Sequence, residues 1–417
     1  MLFADMLRAL VRQGQLTLID ADGRRHDFGG PPGPRVTLRL HDRRLATRLF
    51  LRPRMMLGQA FMDGTLTVEE GTIYDFLMLA MANIEAAPPS LYTPLWSGIT
   101  WAIRRLHQYN PIQRARRNVA HHYDLSGVLY DLFLDSDRQY SCAYFEHPDD
   151  DLETAQAHKK RHIAAKLRLK PGMKVLDIGC GWGGLSMYLA RETGADVTGL
   201  TLSAEQHKLA TERAAAAGLA DRVRFQLKDY RDETGVYDRI VSVGMFEHVG
   251  VMYYQQFFDT LRRRLTENGL ALLHAIGRRD GPGDTNPWIR KYIFPGGYAP
   301  ALSEVLPRIE QAHLWVTDIE ILRLHYALTL RHWRLRFMEN RDRAKALYDE
   351  RFCRMWEFYL ASAEATMRAG DQMVFQIQLT RRIDTAPLTR DYIGDWERGH
   401  RGREHPPDRL SLSQRDD

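Results

Sequence analysis

Long apolar runs are absent from this 417-residue chain, and no stretch approaches the length that a membrane-spanning helix needs. The first residues also lack the basic start of a secretory signal peptide. Cysteine is scarce, since Cys142, Cys180 and Cys353 are too few and too widely spaced for a disulfide framework or a thiolate zinc site. From these absences we expect a soluble globular protein in a reducing cytoplasm, with no metal centre.

Charge of one sign dominates only slightly, because 58 basic residues face 53 acidic ones. The excess is concentrated between Trp101 and Asn118, which contain five arginines and no acid among aromatic and aliphatic residues. Such a segment is typical of a helix lying on an anionic membrane surface, and equally of a solvated helix between domains. Both interpretations stay open. Nucleic acid is not a predicted partner, because no recognised binding motif accompanies the arginines.

The most informative stretch runs from Lys174 to Gly184 and reads KVLDIGCGWGG. Val175, Leu176 and Ile178 predict a buried strand that ends in glycines, and the periodicity of the following residues predicts a helix over Leu185–Glu192. Glycine lets the backbone turn sharply and approach a ligand, while the first N–H groups of a helix attract polar or anionic groups. This pattern predicts a nucleotide-like cofactor at a strand-to-helix turn.

The identity of that cofactor follows from the residues around the glycines. Gly179, Gly181 and Gly184 satisfy the GxGxxG spacing of nicotinamide dinucleotide sites. Those sites also require an acidic residue after the second strand, whereas the predicted second strand, Asp196 to Leu200, is followed by Thr201-Leu202-Ser203. Asp177 lies inside the first strand, where it suits a cationic ligand better than a pyrophosphate. S-adenosylmethionine carries a sulfonium and an ammonium and no phosphate, so we predict this cofactor rather than NAD.

The remaining patterns divide the chain into four parts. Residues 1–85 form an amino-terminal domain, with alternating strands near 15–20 and 36–40, a hairpin turn at Asp22-Gly23 and helical periodicity over 54–82. A basic helical linker follows over 86–120, and 384–417 read as a polar tail. Between them, 121–383 alternate strands and helices. This alternation predicts an α/β domain whose parallel sheet binds its ligand at the carboxyl ends of the strands.

Further motifs follow one another along the predicted catalytic domain. They are HYDLS at 122–126, YSCAYF at 140–145, FEHVG at 246–250, LHAIG at 273–277, YIFPGG at 292–297 and FCRMWE at 352–357. Together with the glycine turn, this order closely resembles the cyclopropane-fatty-acyl-phospholipid synthase and mycolic acid cyclopropane synthase family. Residues 1–85 resemble the amino-terminal domain of its bacterial phospholipid-acting branch. The resemblance implies a class I S-adenosylmethionine-dependent methyltransferase fold, Rossmann-like with a mostly parallel seven-stranded sheet, and a smaller amino-terminal α+β domain.

The resemblance also implies an activity. Members of the family transfer a methylene group from S-adenosylmethionine to the cis double bond of an unsaturated phospholipid acyl chain, giving a cyclopropane fatty acid, and they bind bicarbonate as the base. We therefore expect a cytoplasmic enzyme that associates peripherally with the inner face of the cell membrane, with a possible homodimer. Alternatives are an enzyme that yields methyl- or methylene-branched acyl chains, a small-amine N-methyltransferase, and a degenerate lipid-binding or scaffold protein.

Site residues carry over from the matching motifs. For bicarbonate the resemblance implies Cys142, Glu247, His274, the backbone at Ile276, and Tyr326. For the cofactor it implies Tyr140, Ser141, Asp177, Gly179, Gly181, Thr201, Gln206, Asp229 and Tyr230. The aromatic rings that could face a cation are Tyr140, Trp182, Phe246 and Tyr298. Cys353 occupies the position conventionally given a catalytic cysteine, although the chemistry needs no thiolate and we expect this residue to line the acyl channel.

Overall fold

The computed structural model describes residues 2–30, 33–85 and 127–402. Its strands are β1 (Gly14–Ile19), β2 (Arg25–Gly30), β3 (Arg35–Leu40), β4 (Leu66–Glu70), β5 (Lys174–Ile178), β6 (Asp196–Thr201), β7 (Val223–Leu227), β8 (Tyr237–Val243), β9 (Leu265–Arg278), β10 (Trp315–Ile321) and β11 (Gln372–Thr380). Its helices are α1 (Leu2–Leu10), α2 (Leu45–Leu51), α3 (Pro53–Met62), α4 (Ile73–Glu85), α5 (Gly127–Asp131), α6 (Leu152–Leu167), α7 (Gly184–Thr193), α8 (Ala204–Ala216), α9 (Tyr254–Arg264), α10 (Pro287–Tyr292), α11 (Leu302–Gln311), α12 (His325–Glu339), α13 (Arg341–Leu347), α14 (Glu350–Ala369) and α15 (Asp391–His400). Short 3₁₀ turns lie at Tyr230–Asp232, Phe246–His248 and Val251–Tyr253.

Contacts between residues divide the described chain into two compact units. The first comprises residues 2–30, 33–85, 284–295 and 326–372, and the second comprises residues 127–283, 296–325 and 373–402. Two segments that we predicted as part of one continuous catalytic domain over 121–383 therefore cluster with the amino-terminal residues. The whole of the predicted linker over 86–120, with its arginine-rich segment, lies outside the described residues, as does the HYDLS motif.

The first unit is built on a sheet with the strand order β2-β1-β3-β4 among its described residues. The predicted turn at Asp22-Gly23 joins β1 and β2 as an antiparallel hairpin, and Gly23 has the positive φ of 82° that such turns favour. Helix α14 packs against α3 and α4, where the rings of Phe61 and Phe358 lie 6.1 Å apart. The helical periodicity predicted over 54–82 was wrong at β4, a five-residue strand that pairs with β3.

The second unit contains a seven-stranded sheet within the described residues, in the order β10-β11-β9-β8-β5-β6-β7. Strands β9, β8, β5, β6 and β7 pair in parallel, while β10 pairs antiparallel to β11. The predicted mostly parallel seven-stranded sheet is confirmed. Strand β10 was not predicted from the sequence; it lies at the edge of the sheet, and most of its residues are partly exposed.

Alternate residues of each strand face opposite sides of this sheet. Val175 of β5 and Leu272 of β9 belong to a buried cluster with α6, α7 and α8, whereas Leu176 and Leu273 belong to a second cluster with α9 and α11. The alternation therefore directs Asp177, His274 and Gln376 of β5, β9 and β11 toward the face that α6 covers. Consistently, the side-chain nitrogen of Gln378, two residues beyond Gln376, donates to the backbone oxygen of Lys166 in α6 at 2.7 Å.

The predicted polar tail differs from the structure between residues 391 and 400. These residues form α15, which packs against α6. Glu397 of α15 hydrogen-bonds to His162 of α6 at 2.7 Å, and the ring of Trp396 packs against the buried cluster on the α6 side. The polar composition of this segment therefore conceals an ordered helix with one buried face. None of the described helices is both long and apolar enough to cross a membrane.

Candidate active site

The glycine-rich turn between β5 and α7 has the geometry that the sequence predicts. The backbone N–H groups of Gly179 and Cys180 both donate to the backbone oxygen of Leu200 at 2.9 Å, which ties the turn to the end of β6. Gly179 has a φ of 85°, and a Cβ atom at this position would lie 2.8 Å from the Cβ of Met245. The turn therefore requires glycine both for its backbone conformation and for the close approach of the segment after β8.

A cavity opens at the carboxyl ends of β5, β6 and β8, next to this turn. All nine residues predicted to bind the cofactor line it, namely Tyr140, Ser141, Asp177, Gly179, Gly181, Thr201, Gln206, Asp229 and Tyr230. Lining residues that were not predicted include Arg138, Gln139, Lys228, Arg231, Met245 and His248. Most of these residues are neighbours in sequence of a residue that was predicted to bind the cofactor. Such a position does not by itself show whether a side chain lines the cavity or is buried in the core.

Asp177 lies on β5, two residues before the glycine turn. Its side chain is buried and accepts a hydrogen bond from the hydroxyl of Ser186 in α7 at 2.7 Å. Burial raises the pKa of Asp177 to about 6, although the hydrogen bond from Ser186 opposes this effect. The carboxylate is thus still ionised for the most part at neutral pH, and it both fixes the first turn of α7 and presents charge to a cationic ligand.

The polar groups at the ends of β6 and β7 replace the acid of a dinucleotide site. The hydroxyl of Thr201 donates to the side-chain oxygen of Gln206 at 2.9 Å, which leaves the amide nitrogen of Gln206 as a donor at the cavity. Asp229 is held by the guanidinium of Arg231, whose Nε and Nη2 lie 2.8 and 2.7 Å from its carboxylate oxygens. The site offers hydrogen-bonding groups to ribose hydroxyls without the acidic residue that NAD recognition requires.

The loop that carries Tyr140 and Ser141 is held by buried charges. Asp137 accepts hydrogen bonds from Lys160 of α6 at 2.6 Å and from Arg213 of α8. Arg213 also donates to the backbone oxygen of Trp182 in the glycine turn at 2.7 Å. Burial alone would raise the pKa of Asp137, but the two cations hold it well below its ordinary value. This network fixes the loop and the turn against each other, and the sequence motifs did not reveal it.

Two of the four predicted aromatic rings line the cavity. Tyr140 and Trp182 both contact the buried ring of Tyr130, with centroids 5.5 and 4.9 Å from it. The prediction was wrong for Phe246, which lies in the hydrophobic core and stacks on Tyr254 at 4.3 Å. Tyr298 is buried, and its hydroxyl donates to Glu304 at 2.6 Å.

Glu247 lies in the 3₁₀ turn after β8, between the cavity-lining residues Met245 and His248. Its Oε1 accepts a hydrogen bond from the backbone N–H of Ile276 at 2.6 Å. Its Oε2 is buried and has no hydrogen-bond partner among the described residues. Burial raises the pKa of Glu247 to about 7, with the Ile276 N–H opposing this rise. This carboxyl group can therefore gain or lose a proton near neutral pH.

His274 lies on β9 beside the same strand end. It pairs with Val243 of β8, and its backbone oxygen accepts from the N–H of Gly244, a cavity-lining residue, at 2.9 Å. The side-chain nitrogen of Gln376 lies 3.1 Å from Nδ1 of His274, so Nδ1 accepts and Nε2 carries the proton. Burial lowers the pKa of His274 to about 3. The ring is therefore a neutral donor at physiological pH.

The other predicted catalytic residues are divided between the units. Cys142 is buried in the second unit, directly after Ser141, and its thiol lies 3.3 Å from the backbone oxygen of Ala143. Tyr326 and Cys353 belong to the first unit. Cys353 is fully buried in α14, where its thiol donates to the backbone oxygen of Arg341 at 3.8 Å, and burial raises its pKa. This environment stabilises a thiol rather than a thiolate nucleophile.

Comparison with known proteins shows which family this chain belongs to. The family model for mycolic acid cyclopropane synthetase matches residues 111–377, more than half of the chain. This protein belongs to that family. The cyclopropane-fatty-acyl-phospholipid synthase of Escherichia coli K12 is 38% identical over 79% of this chain and 83% of its own length. A probable fatty acid methyltransferase of Pseudomonas putida is 39% identical over 84% of this chain and 87% of its own length.

Solved structures agree with this assignment. A mycolic acid cyclopropane synthase, crystallised with SAH and CTAB, aligns with a TM-score of 0.61 at 34% identity, over 65% of this chain and 99% of its own. The predicted family, the class I methyltransferase fold and the assignment to S-adenosylmethionine-dependent methyltransferases are confirmed. The roles of individual residues stay predictions, which the geometry above supports to different degrees.

The burial of Glu247 predicts a pH-dependent cost to stability. Because its folded-state pKa lies near 7 and its ordinary value is 4.5, the folded protein binds the proton more tightly than the unfolded chain. The free energy of unfolding therefore falls as the pH rises from 4.5 to 7, by about 3 kcal/mol in total. Glu247→Gln removes this term, so the variant should gain stability relative to the wild type across that window. Urea unfolding at pH 5 and pH 8 measures the difference, and a pH-independent gap between the two proteins would contradict the raised pKa.

Proposed function

We propose that this protein transfers a methylene group from S-adenosylmethionine to the cis double bond of a phospholipid acyl chain, giving a cyclopropane fatty acid and S-adenosylhomocysteine. The observation that carries the proposal is the position of Glu247, a buried acid with one unpartnered oxygen beside the cavity predicted to bind the cofactor. The named activities of the Escherichia coli and Pseudomonas putida relatives support an acyl chain as the acceptor.

The chemistry explains why an acid–base group must lie beside the methyl donor. An isolated alkene is a weak nucleophile and needs a strongly electrophilic methyl donor. Its electron pair attacks the methyl carbon while the bond to the sulfonium sulfur breaks. The acyl chain is left with a carbocation. A base then removes a proton from the transferred methyl group, and the freed electron pair closes the ring. Water would trap the cation, so the site must exclude it. The ring faces of Tyr140 and Trp182 can stabilise positive charge by about 0.5–2 kcal/mol each.

The residues around Glu247 fit a small anion such as bicarbonate. Glu247 can hold a proton at Oε2, because its Oε1 is already bound to the Ile276 N–H, and His274 offers its Nε2–H as a neutral donor. The Ile276 N–H, which we expected to bind the anion, is thus occupied by Glu247. When bound, bicarbonate would supply a base for the methyl proton. The contributions of Cys142 and Tyr326 remain predictions.

A methyl- or methylene-branched acyl chain is the second candidate product. The Pseudomonas putida relative bears the name of a fatty acid methyltransferase, and the carbocation is common to both outcomes. A saturated branched product requires a reductant that the methyl donor does not supply. An amine N-methyltransferase also removes a proton, from its ammonium substrate, but it needs no bicarbonate site. The named activities of the Escherichia coli and Pseudomonas putida relatives favour chemistry on carbon.

Mass spectrometry of phospholipids from cells that express the protein tests the proposed product. A cyclopropane chain gains one CH₂ and keeps its unsaturation equivalent, yet no longer reacts as an alkene. A branched saturated chain shows the loss of that unsaturation equivalent, and unchanged lipids would contradict acyl-chain chemistry altogether. From the substrate we place the enzyme at the cytoplasmic face of the membrane. Its homodimerisation stays a prediction.

The buried thiol of Cys353 leads to a specific expectation. Cys353→Ala should leave turnover close to that of the wild type, because the thiol is not activated and belongs to the packed interior of the first unit. The lost packing should cost about 1 kcal/mol of stability. Initial rates on unsaturated phospholipid vesicles, together with thermal unfolding, measure both effects. A loss of turnover by orders of magnitude in a normally folded variant would assign the thiol a chemical role.

A further inference from the structure

Lys159 of α6 is a buried lysine without a carboxylate counter-ion. Its side chain is 1% exposed, and within the described part of the chain no carboxylate oxygen lies within ion-pair distance of its Nζ. Nζ donates to two neutral oxygens, the side-chain oxygen of Gln139 at 2.6 Å and the hydroxyl of Ser141 at 2.9 Å. An ammonium group has three N–H donors, and buried charges are normally paired. Its charge and one donor are therefore left over.

The other lysines of the same helix show the contrast. Lys160 pairs with Asp137 at 2.6 Å, and Lys166 pairs with Glu320. Both are structural cations in complete ion pairs. Lys159 directly precedes Lys160 on the helix, but its two hydrogen-bond acceptors are neutral oxygens rather than carboxylates. Burial lowers the pKa of Lys159 to about 8, and Asp135 opposes the effect only in part.

Lys159 lies close to the cofactor cavity and to the face of the sheet that carries His274. Its two acceptors, Gln139 and Ser141, line the cavity, and Ser141 directly precedes Cys142. Helix α6 covers the sheet face toward which Asp177 and His274 point. The positive charge of Lys159 lowers the pKa values of Asp177 and His274. Cys142 in turn raises the pKa of Lys159. The charge of Lys159 therefore acts on two of the residues predicted to hold bicarbonate, His274 and Cys142.

We propose that Lys159 is the positioning cation that makes this site an anion site, with bicarbonate as the anion that it stabilises. The inference rests on the proposed function. It explains how a neutral His274 and an acid such as Glu247 could hold an anion, since neither supplies positive charge. The ammonium acts through its field and through Ser141, whose hydroxyl it orients, rather than by contact with the reacting carbon. Lys166, the other lysine whose charge acts on His274, is already paired with Glu320.

Two variants test the inference on the full-length protein. Lys159→Met removes the charge, and Lys159→Gln removes it while keeping a donor for Ser141. Binding of ¹³C-labelled bicarbonate, followed by NMR, should weaken by roughly 10- to 100-fold in both variants, since a hydrogen bond to a charged group contributes about 1.5–3 kcal/mol. The affinity for S-adenosylhomocysteine, measured by calorimetry, should stay near that of the wild type. Lys208→Met is the control, because Lys208 is an exposed lysine that pairs with Glu212 on the surface, and this variant should bind bicarbonate like the wild type.

The outcomes separate this inference from the proposed function. Normal bicarbonate binding by both Lys159 variants would overturn the proposed role of Lys159 but not the proposed function. Variants that lose S-adenosylhomocysteine binding but keep bicarbonate binding would have the same consequence. No bicarbonate binding by the wild type would overturn bicarbonate as the base. If neither variant folds, Ser141→Ala decides the question, because the ammonium of Lys159 is inferred to act partly through this hydroxyl. Bicarbonate binding should weaken in this variant, and normal bicarbonate binding would reject the proposal.

Discussion

Glu247→Gln is expected to abolish product formation while the protein still binds its cofactor normally. Glutamine keeps the shape of the side chain and can still accept the hydrogen bond from Ile276 through its oxygen, but it cannot exchange a proton. Loss of an acid–base group typically lowers turnover by 10²- to 10⁴-fold, so we expect a loss in that range. Turnover on unsaturated phospholipid vesicles and calorimetric titration with S-adenosylhomocysteine measure the two quantities separately.

The matched control for this substitution is Glu267→Gln. Glu267 lies near the start of β9, the strand that carries His274, but its side chain is 73% exposed and pairs with Arg382 at the surface. Exposed pairs of this kind contribute little, so this variant should behave like the wild type in both measurements. Substantial turnover by Glu247→Gln, with the control unaffected, would remove Glu247 from the proposed chemistry.

The second large effect is expected at the glycine turn. Gly179→Ala should eliminate measurable binding of S-adenosylhomocysteine, because the new Cβ would lie 2.8 and 3.0 Å from Cβ and Cγ of Met245, which lines the same cavity. Either the turn or Met245 must then move into the space predicted for the ligand. Calorimetry on the purified variant measures the loss of affinity, and circular dichroism shows whether the fold is kept.

Gly172→Ala separates the steric effect from simple backbone strain. Gly172 also has a positive φ, 76°, but a Cβ atom there would meet nothing within 4 Å, and the residue precedes β5 away from the cavity. A non-glycine residue in this conformation costs roughly 1–2 kcal/mol, so both variants should lose stability. Only Gly179→Ala should lose the ligand. Equal affinities in the two variants would mean that the turn does not form the cofactor site.

The cofactor site was predictable from the sequence because its residues lie in short, continuous segments. The glycine turn, the end of β6 and the end of β7 lie at the same edge of the sheet. This edge is formed by the carboxyl ends of the strands, where parallel α/β sheets bind their ligands. Thr201, for example, follows the predicted second strand, and the family resemblance assigned this residue to the cofactor. The order of the family motifs then supplied the loop with Tyr140 and Ser141, for which periodicity offers no signal.

The supporting residues were not predictable, because their partners are distant in sequence. Gln376 meets His274 across 102 residues, and Arg213 meets Asp137 across 76. In the sequence each reads as an ordinary polar residue of a strand or helix, and only the pairing of strands and the packing of α8 give it a role. The same reason applies to Lys159, whose neighbours on α6 are equally basic. The edge strand β10 was missed because all of its residues are exposed or half-buried, which weakens the apolar pattern of a strand.

The loss of one methyl hydrogen is the most direct test of the central claim. If a base beside the methyl donor removes a proton from the transferred group, S-adenosylmethionine labelled with CD₃ must yield lipid that carries CD₂, with one deuterium released to solvent. Mass spectrometry of the purified product reads this label directly. We predict CD₂ with the unsaturation equivalent retained. A product that keeps CD₃ would show simple methyl transfer and would contradict the assignment of this site to ring formation.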